Sequence, residues 1–133
     1  GWLEREIEAS SEKIVIFTHQ ALDDQPLEKN IHFERIENLA YVGNRRELQQ
    51  IFENGGNVIA TINGHVHWPS VSLGNDILYV SVPSFTDTWQ QLRSVPGAFT
   101  LIDFCGEKMI VENYMFKPYI LMGRFRTNLK KEG

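Results

Sequence analysis

Ile62-Asn63-Gly64-His65-Val66-His67-Trp68-Pro69 closes the apolar run Val58-Ile59-Ala60-Thr61-Ile62 and opens a turn marked by a glycine and a proline. In extended backbone, residues i and i+2 project to the same side. His65 and His67 are therefore expected to aim at one locus while Val66 returns to the core. Neutral imidazole is the commonest protein ligand for metals. Two histidines in a loop are nevertheless more often surface residues than ligands, so the placement of a third one decides the reading.

That third residue lies upstream. Ile14-Val15-Ile16-Phe17 is a second continuous β-rich run, read as a strand buried on both faces, and His19 follows it after Thr18. Between the two runs, Asn44 and Glu47 are spaced as a capping box. Leu48, Ile51 and Phe52 make an apolar stripe, and Asn54-Gly55-Gly56 is a helix stop. Two buried strands joined through a helix are expected to run parallel. Both then end at one edge of the sheet, the edge where open α/β sheets bind ligands. Topology thus brings His19, His65 and His67 together.

The interval from Gln20 to Gly43 carries less signal. Asp23-Asp24-Gln25-Pro26 reads as a turn or loop, whereas Ile31 to Leu39 fits either a helix or an irregular excursion. Loops leaving a strand end often carry specificity, which makes His32, Phe33 and Tyr41 candidates for the substrate side; packing is their other reading. Ahead of the first strand, Trp2, Leu3 and Ile7 pattern a short amphipathic helix ending near Ser10-Ser11 and capping a sheet.

Beyond Pro69 the pattern turns antiparallel. Val71 to Leu73, a Gly74-Asn75-Asp76 turn and Ile77 to Val82 form one hairpin. After a loop from Pro83 to Gly97 containing Thr86, Asp87, Trp89 and Pro96, a second hairpin joins Ala98–Phe104 to Met109–Phe116. The fold class is α/β, a parallel βαβ unit followed by antiparallel hairpins. Residues 1–116 are expected to belong to a single domain, and residues 117–133 to be a basic tail, with five Lys or Arg against one Glu, loosely ordered from Tyr119.

With 133 residues, 42% hydrophobic and 23% charged, the chain can build a real core. Its net charge of -4 argues against a nucleic-acid surface, and no run has the length of a membrane span. One cysteine, Cys105, excludes an internal disulfide and reads as core or turn packing. That count and the lack of a visible signal peptide favour the cytoplasm, although the chain opens without Met and its native start is expected to be missing.

Val15-Ile16-Phe17-Thr18-His19, Asn44-Arg45-Arg46-Glu47-Leu48 and Gly64-His65-Val66-His67, with Val82-Pro83-Ser84 after them, resemble the calcineurin-like metallophosphoesterases, which include purple acid phosphatases and cyclic-nucleotide phosphodiesterases. The resemblance implies a four-layer α/β/β/α sandwich with a two-metal centre at the carboxyl edges of the strands. By the same resemblance, His19 and His65 bind one ion and His67 the other. Asn63, Gly64 and Trp68 flank the site, and Gln20 stands where many members have a second histidine. Paired Mn, Fe or Zn ions, divalent or trivalent and roughly 3.5–4 Å apart, clamp a phosphoryl group and activate water.

The family's Asp-x-His, Gly-Asp-x-x-Asp and Gly-Asn-His-Asp/Glu blocks do not occur in this sequence. The chain is therefore expected to be the carboxyl-terminal half of a phosphatase or phosphodiesterase acting on a phosphate ester. By itself it should be inactive, hold at most one metal, and seek the missing amino-terminal half or another copy through open sheet edges. The alternative is a non-catalytic fragment or interaction module binding one metal or none.

Overall fold

A computed structural model describes residues 1–87, 97–116 and 119–128. The chain divides into two compact units, Gly1–Val66 with Ser70–Ser81, and His67–Pro69 with Val82–Gly133. The architecture is mixed α/β, with a largely parallel sheet in the first unit and an antiparallel sheet in the second.

In the first unit, helix α1 (Trp2–Ala9) leads into strand β1 (Ile14–Thr18). Helix α2 (Arg45–Gly55), β2 (Val58–Asn63), β3 (Ser70–Gly74) and β4 (Ile77–Ser81) follow. Strand order is β1-β2-β4-β3, with β1 and β4 both parallel to β2 and β3 antiparallel to β4. The expected parallel pairing of the two apolar runs is present, with Thr18 opposite Asn63 at their shared carboxyl end. The β3–β4 hairpin turns on Asn75 and Asp76 at φ 49° and 63°, the left-handed pair that a two-residue hairpin turn requires.

Phe52, Ile7, Leu22, Val58, Ile77 and Tyr79 form the main core between the helices and this sheet. α2 stops where Gly56 takes φ 74° and its N–H donates to the Phe52 carbonyl at 3.2 Å. The Asn57 amide closes α1, donating to the Ile7 and Ser10 carbonyls at 2.9 and 2.8 Å.

In the second unit, β5 (Ala98–Cys105), β6 (Lys108–Phe116) and β7 (Tyr119–Asn128) make an antiparallel meander in that order. Phe99, Tyr114 and Tyr119 stack across its three strands, with ring centroids 5.3 Å apart at each step. Glu112 on β6 takes hydrogen bonds from Arg124 and Tyr114, and these hold its carboxyl below the usual range.

Several sequence expectations change. β1 is not buried on both faces: it is the sheet's edge strand, and Phe17 is 74% exposed. The Asn44–Glu47 capping box does not form, because the Asn44 side chain caps no backbone N–H and reaches the Glu47 carboxylate instead, at 3.4 Å. Ile31 to Leu39 is the irregular excursion, with turns and one 3-10 turn at Glu37–Leu39. The tail expected to be loose from Tyr119 is strand β7 as far as Asn128, paired antiparallel with β6 on either side of a bulge opposite Asn113 and Tyr114. Cys105 is an exposed free thiol beside the β5–β6 turn and packs in no core. Trp89, Pro96, Pro118 and the last five residues lie outside the described residues.

Candidate metal centre

The parallel register of β1 and β2 decides what meets at their carboxyl edge. Thr18 and Asn63 are partners, so His19 leaves β1 one residue later and His65 leaves β2 two residues later. The Thr18 hydroxyl donates to the Gln20 carbonyl at 2.8 Å and bends the chain there. His65 Nδ1 and His19 Nε2 then stand 2.9 Å apart, with ring centroids 4.5 Å apart and planes tilted by 58°.

Hydrogen bonding assigns the tautomers. His65 Nε2 lies 3.0 Å from the Leu39 carbonyl, which can only accept, so Nε2 carries the hydrogen. In the neutral pair, His65 Nδ1 is the acceptor and His19 Nε2–H donates to it. Gln20 Nε2 donates to the same Leu39 carbonyl at 2.9 Å, and the Phe33 ring covers His65 at 4.8 Å between centroids. Among the described residues of this unit, no third histidine, cysteine or carboxylate joins the pair.

The pair suits a cation. Two nitrogens on one tetrahedral zinc, each about 2.0–2.1 Å from it, stand roughly 3.3–3.4 Å apart. Binding therefore asks for a small opening of the 2.9 Å contact and loss of the shared hydrogen. It also forfeits that hydrogen bond, worth about 1 kcal/mol.

His67 belongs to the second unit. Its Nδ1 lies 3.2 Å from Asp87 Oδ2, and its carbonyl accepts from Ser84 N–H at 3.1 Å. Asp87 N–H donates to Ser84 Oγ at 3.2 Å, which ties the loop after β4 to this histidine. A carboxylate on Nδ1–H leaves Nε2 as the ligand nitrogen, the usual support for a metal-binding imidazole. In the sequence Asp87 reads only as loop content, since the fold alone brings it to a residue 20 positions away.

The backbone of the His-x-His turn is not extended as expected. His65 has φ 49° and His67 φ 62°, so both lie in the left-handed region and the i, i+2 strand argument does not apply. Val66 N–H bonds to the Gly64 carbonyl at 2.6 Å, and the Val66 side chain is fully buried in a second core cluster with Ala21, Leu27, Phe33 and Ala40. Non-glycine residues in this region cost on the order of 1–2 kcal/mol each, a strain that neighbouring contacts must hold.

Each remaining candidate has its own surroundings. Asn63 is buried: its amide donates to Ser81 Oγ at 2.8 Å, and Gln25 Nε2 donates to the same hydroxyl at 2.7 Å. Gly64 lies in open space, with no atom within 4 Å of where a Cβ would stand. The His32 N–H donates to Asn30 Oδ1 at 3.0 Å, and its ring lies 6.3 Å from that of Phe33. Trp68 is half-buried in the second unit.

Nearby, Asp24 accepts from Arg45 Nε at 2.8 Å and from Arg46, while Arg45 lies 4.6 Å over the Tyr41 ring. Burial pushes the Asp23 carboxyl and the Tyr41 phenol up from their ordinary values. For Asp23, a hydrogen bond from Ser72 at 2.8 Å opposes the shift.

No protein-family description matches the chain, and no curated protein matches it by sequence. Solved structures do match. A dimetal phosphatase from Danio rerio superposes with a TM-score of 0.71 at 12% identity, over 97% of this chain and 37% of its own. GAP50, the anchor in the inner membrane complex of Plasmodium, superposes with a TM-score of 0.69 at 13% identity, over 97% of this chain and 41% of its own. The chain thus has the fold of part of those proteins and spans less than half the length of either.

Proposed function

We propose that this chain, which has the calcineurin-like metallophosphoesterase fold, is the carboxyl-terminal part of a metal-dependent phosphoester hydrolase. The observation that carries the reading is the His19–His65 pair, two ring nitrogens 2.9 Å apart at the common carboxyl edge of two parallel strands. In this proposal His19 Nε2 and His65 Nδ1 hold one ion and His67 helps hold a second, oriented by Asp87. Bound metal would supply Lewis-acid polarisation of a phosphoryl oxygen and a more acidic water. The Leu39 carbonyl, which also accepts from Gln20 Nε2, accepts from His65 Nε2–H and fixes that ring.

Residues 1–116 belong, in this reading, to one such domain, whose remaining ligands lie in sequence absent from these 133 residues. Phosphatase and phosphodiesterase activities are both compatible with it. A second reading, a non-catalytic module holding one metal or none, is favoured by the absence of the carboxylate-bearing blocks from the sequence. Among the described residues, no helix is long and apolar enough to cross a membrane.

Elemental analysis of the purified 133-residue chain, beside an assay with an aryl phosphodiester, tests the ligand assignment and the chain's being a part of the hydrolase. The expected result is retained Zn, Mn or Fe with little hydrolysis, and metal lost in the His65→Ala, His67→Ala double variant. Unchanged metal content in that variant defeats the ligand assignment, and robust turnover by the chain alone defeats its being a part.

A further inference from the structure

We infer that Asn30 is the positioning residue of the His65-Val66-His67 turn. Its Nδ2 donates to the Val66 carbonyl at 2.9 Å, and its Oδ1 accepts from the His32 N–H at 3.0 Å. The bonded carbonyl belongs to the peptide between two left-handed histidines, where a small rotation re-aims both rings. Asn30 is 1% exposed, so water does not compete for either bond.

The residue type matches the task. A carboxylate at this position accepts but cannot donate to a carbonyl, and a hydroxyl is too short to span both partners. Asn30 is also anchored independently of its side chain. Its N–H donates to the Leu27 carbonyl at 2.9 Å, and its carbonyl accepts from Phe33 N–H at 3.2 Å and Glu34 N–H at 2.9 Å. Losing the amide therefore removes the hold on Val66 while the local loop keeps its own bonds. The sequence gives no warning of this, since Val66 is 36 positions away.

The positional claim stands on geometry alone; its consequence for metal affinity rests on the reading proposed above. The test uses the isotope-labelled 133-residue chain, wild type beside Asn30→Ala and Asn30→Asp. Three-bond HN–Hα couplings and Cα shifts at His65 and His67 report their φ. Both variants are expected to move these away from left-handed values while β2 and β4 amides keep their exchange protection. Asn30→Asp should leave the His32 amide resonance in place. A merely structural role moves the strand amides along with the turn, and unaltered His65 and His67 signals in the variants overturn the inference.

Zinc affinity, read by competition with a chromophoric chelator, is expected to fall about 10–100-fold in both variants. Wild-type chain that binds no zinc defeats the metal reading, and the φ measurements still decide Asn30. Should neither variant fold, wild-type exchange decides: slow exchange of the Asn30 side-chain amide protons supports the clamp, and exchange at the rate of a free amide overturns it.

Discussion

Gly55 is the last residue of α2, and a Cβ built on it overlaps the Cγ2 methyl of Ile7, a residue 2% exposed in the main core. Two effects oppose each other in Gly55→Ala. Replacing a helical glycine gains at most about 1 kcal/mol of helix propensity, less at a terminal position. Forcing a methyl into a packed core costs about 1–3 kcal/mol, and Ile7 cannot step aside, because Cγ2 sits on a branched carbon inside the cluster. The clash should win, leaving Gly55→Ala destabilised by about 1 kcal/mol.

The sign should reverse once the obstacle is gone. In an Ile7→Ala background the nearest remaining atom is Asn57 Oδ1, at the ordinary contact distance of 3.4 Å, so Gly55→Ala should there be neutral or stabilising by up to about 1 kcal/mol. Urea unfolding of the four chains by circular dichroism gives the coupling directly. Gly55→Ala stabilising in both backgrounds would refute the claim that close approach of α1 to α2 is what keeps glycine at this position.

Asp23 supplies a pH-dependent test. Burial holds its carboxyl above the usual aspartate range, Oδ2 accepts from Ser72, and Oδ1 has no hydrogen-bond partner among the described residues. A raised folded value means that the folded chain prefers the protonated acid. The penalty is absent below the ordinary aspartate pKa and grows as pH rises through the folded one. Asp23→Asn is expected to gain about 1 kcal/mol at pH 7 and nothing near pH 3; an equal change at both, by urea midpoint, would sink this account. On the edge strand, Phe17→Ser should alter stability by less than about 0.5 kcal/mol and lower self-association in sedimentation velocity. A large loss of stability would show Phe17 to be packed rather than exposed.

What the sequence made legible was whatever depends on local pattern. Val58 to Ile62 and Ile14 to Phe17 read as strands because continuous β-branched and apolar runs suit a sheet interior, and their parallel pairing follows from the helix between them. Burial of the second face is a property of neighbours, so the exposure of Phe17 was invisible. β7 escaped because net charge and nearness to the end of the chain outweighed the alternation of Arg124, Phe125, Arg126 and Thr127, in which the odd residues are the half-buried ones. The left-handed φ of His65 and His67 is a tertiary outcome too. Gly64 and Pro69 announce a turn, but its hand is set by a buried valine and a distant amide.

The parallel strands bring His19 and His65 to one edge, yet the contacts that aim the His65 ring come from the excursion between Gln20 and Gly43. Leu39 offers one carbonyl to both Gln20 and His65, Asn30 holds Val66, and Gln25 completes the buried Ser81–Asn63 pair beneath the turn. The excursion is pinned in turn by the Ala21–Tyr41 bridge and by Arg45 and Arg46 on Asp24. A scaffold strand can fix where a ligand residue starts, but ring direction and tautomer need partners beyond it. Substitutions at Gln20, Gln25 or Asn30 should therefore shift the behaviour of the histidines without touching one of them, whereas exposed positions on α1, such as Glu6 or Glu8, should not.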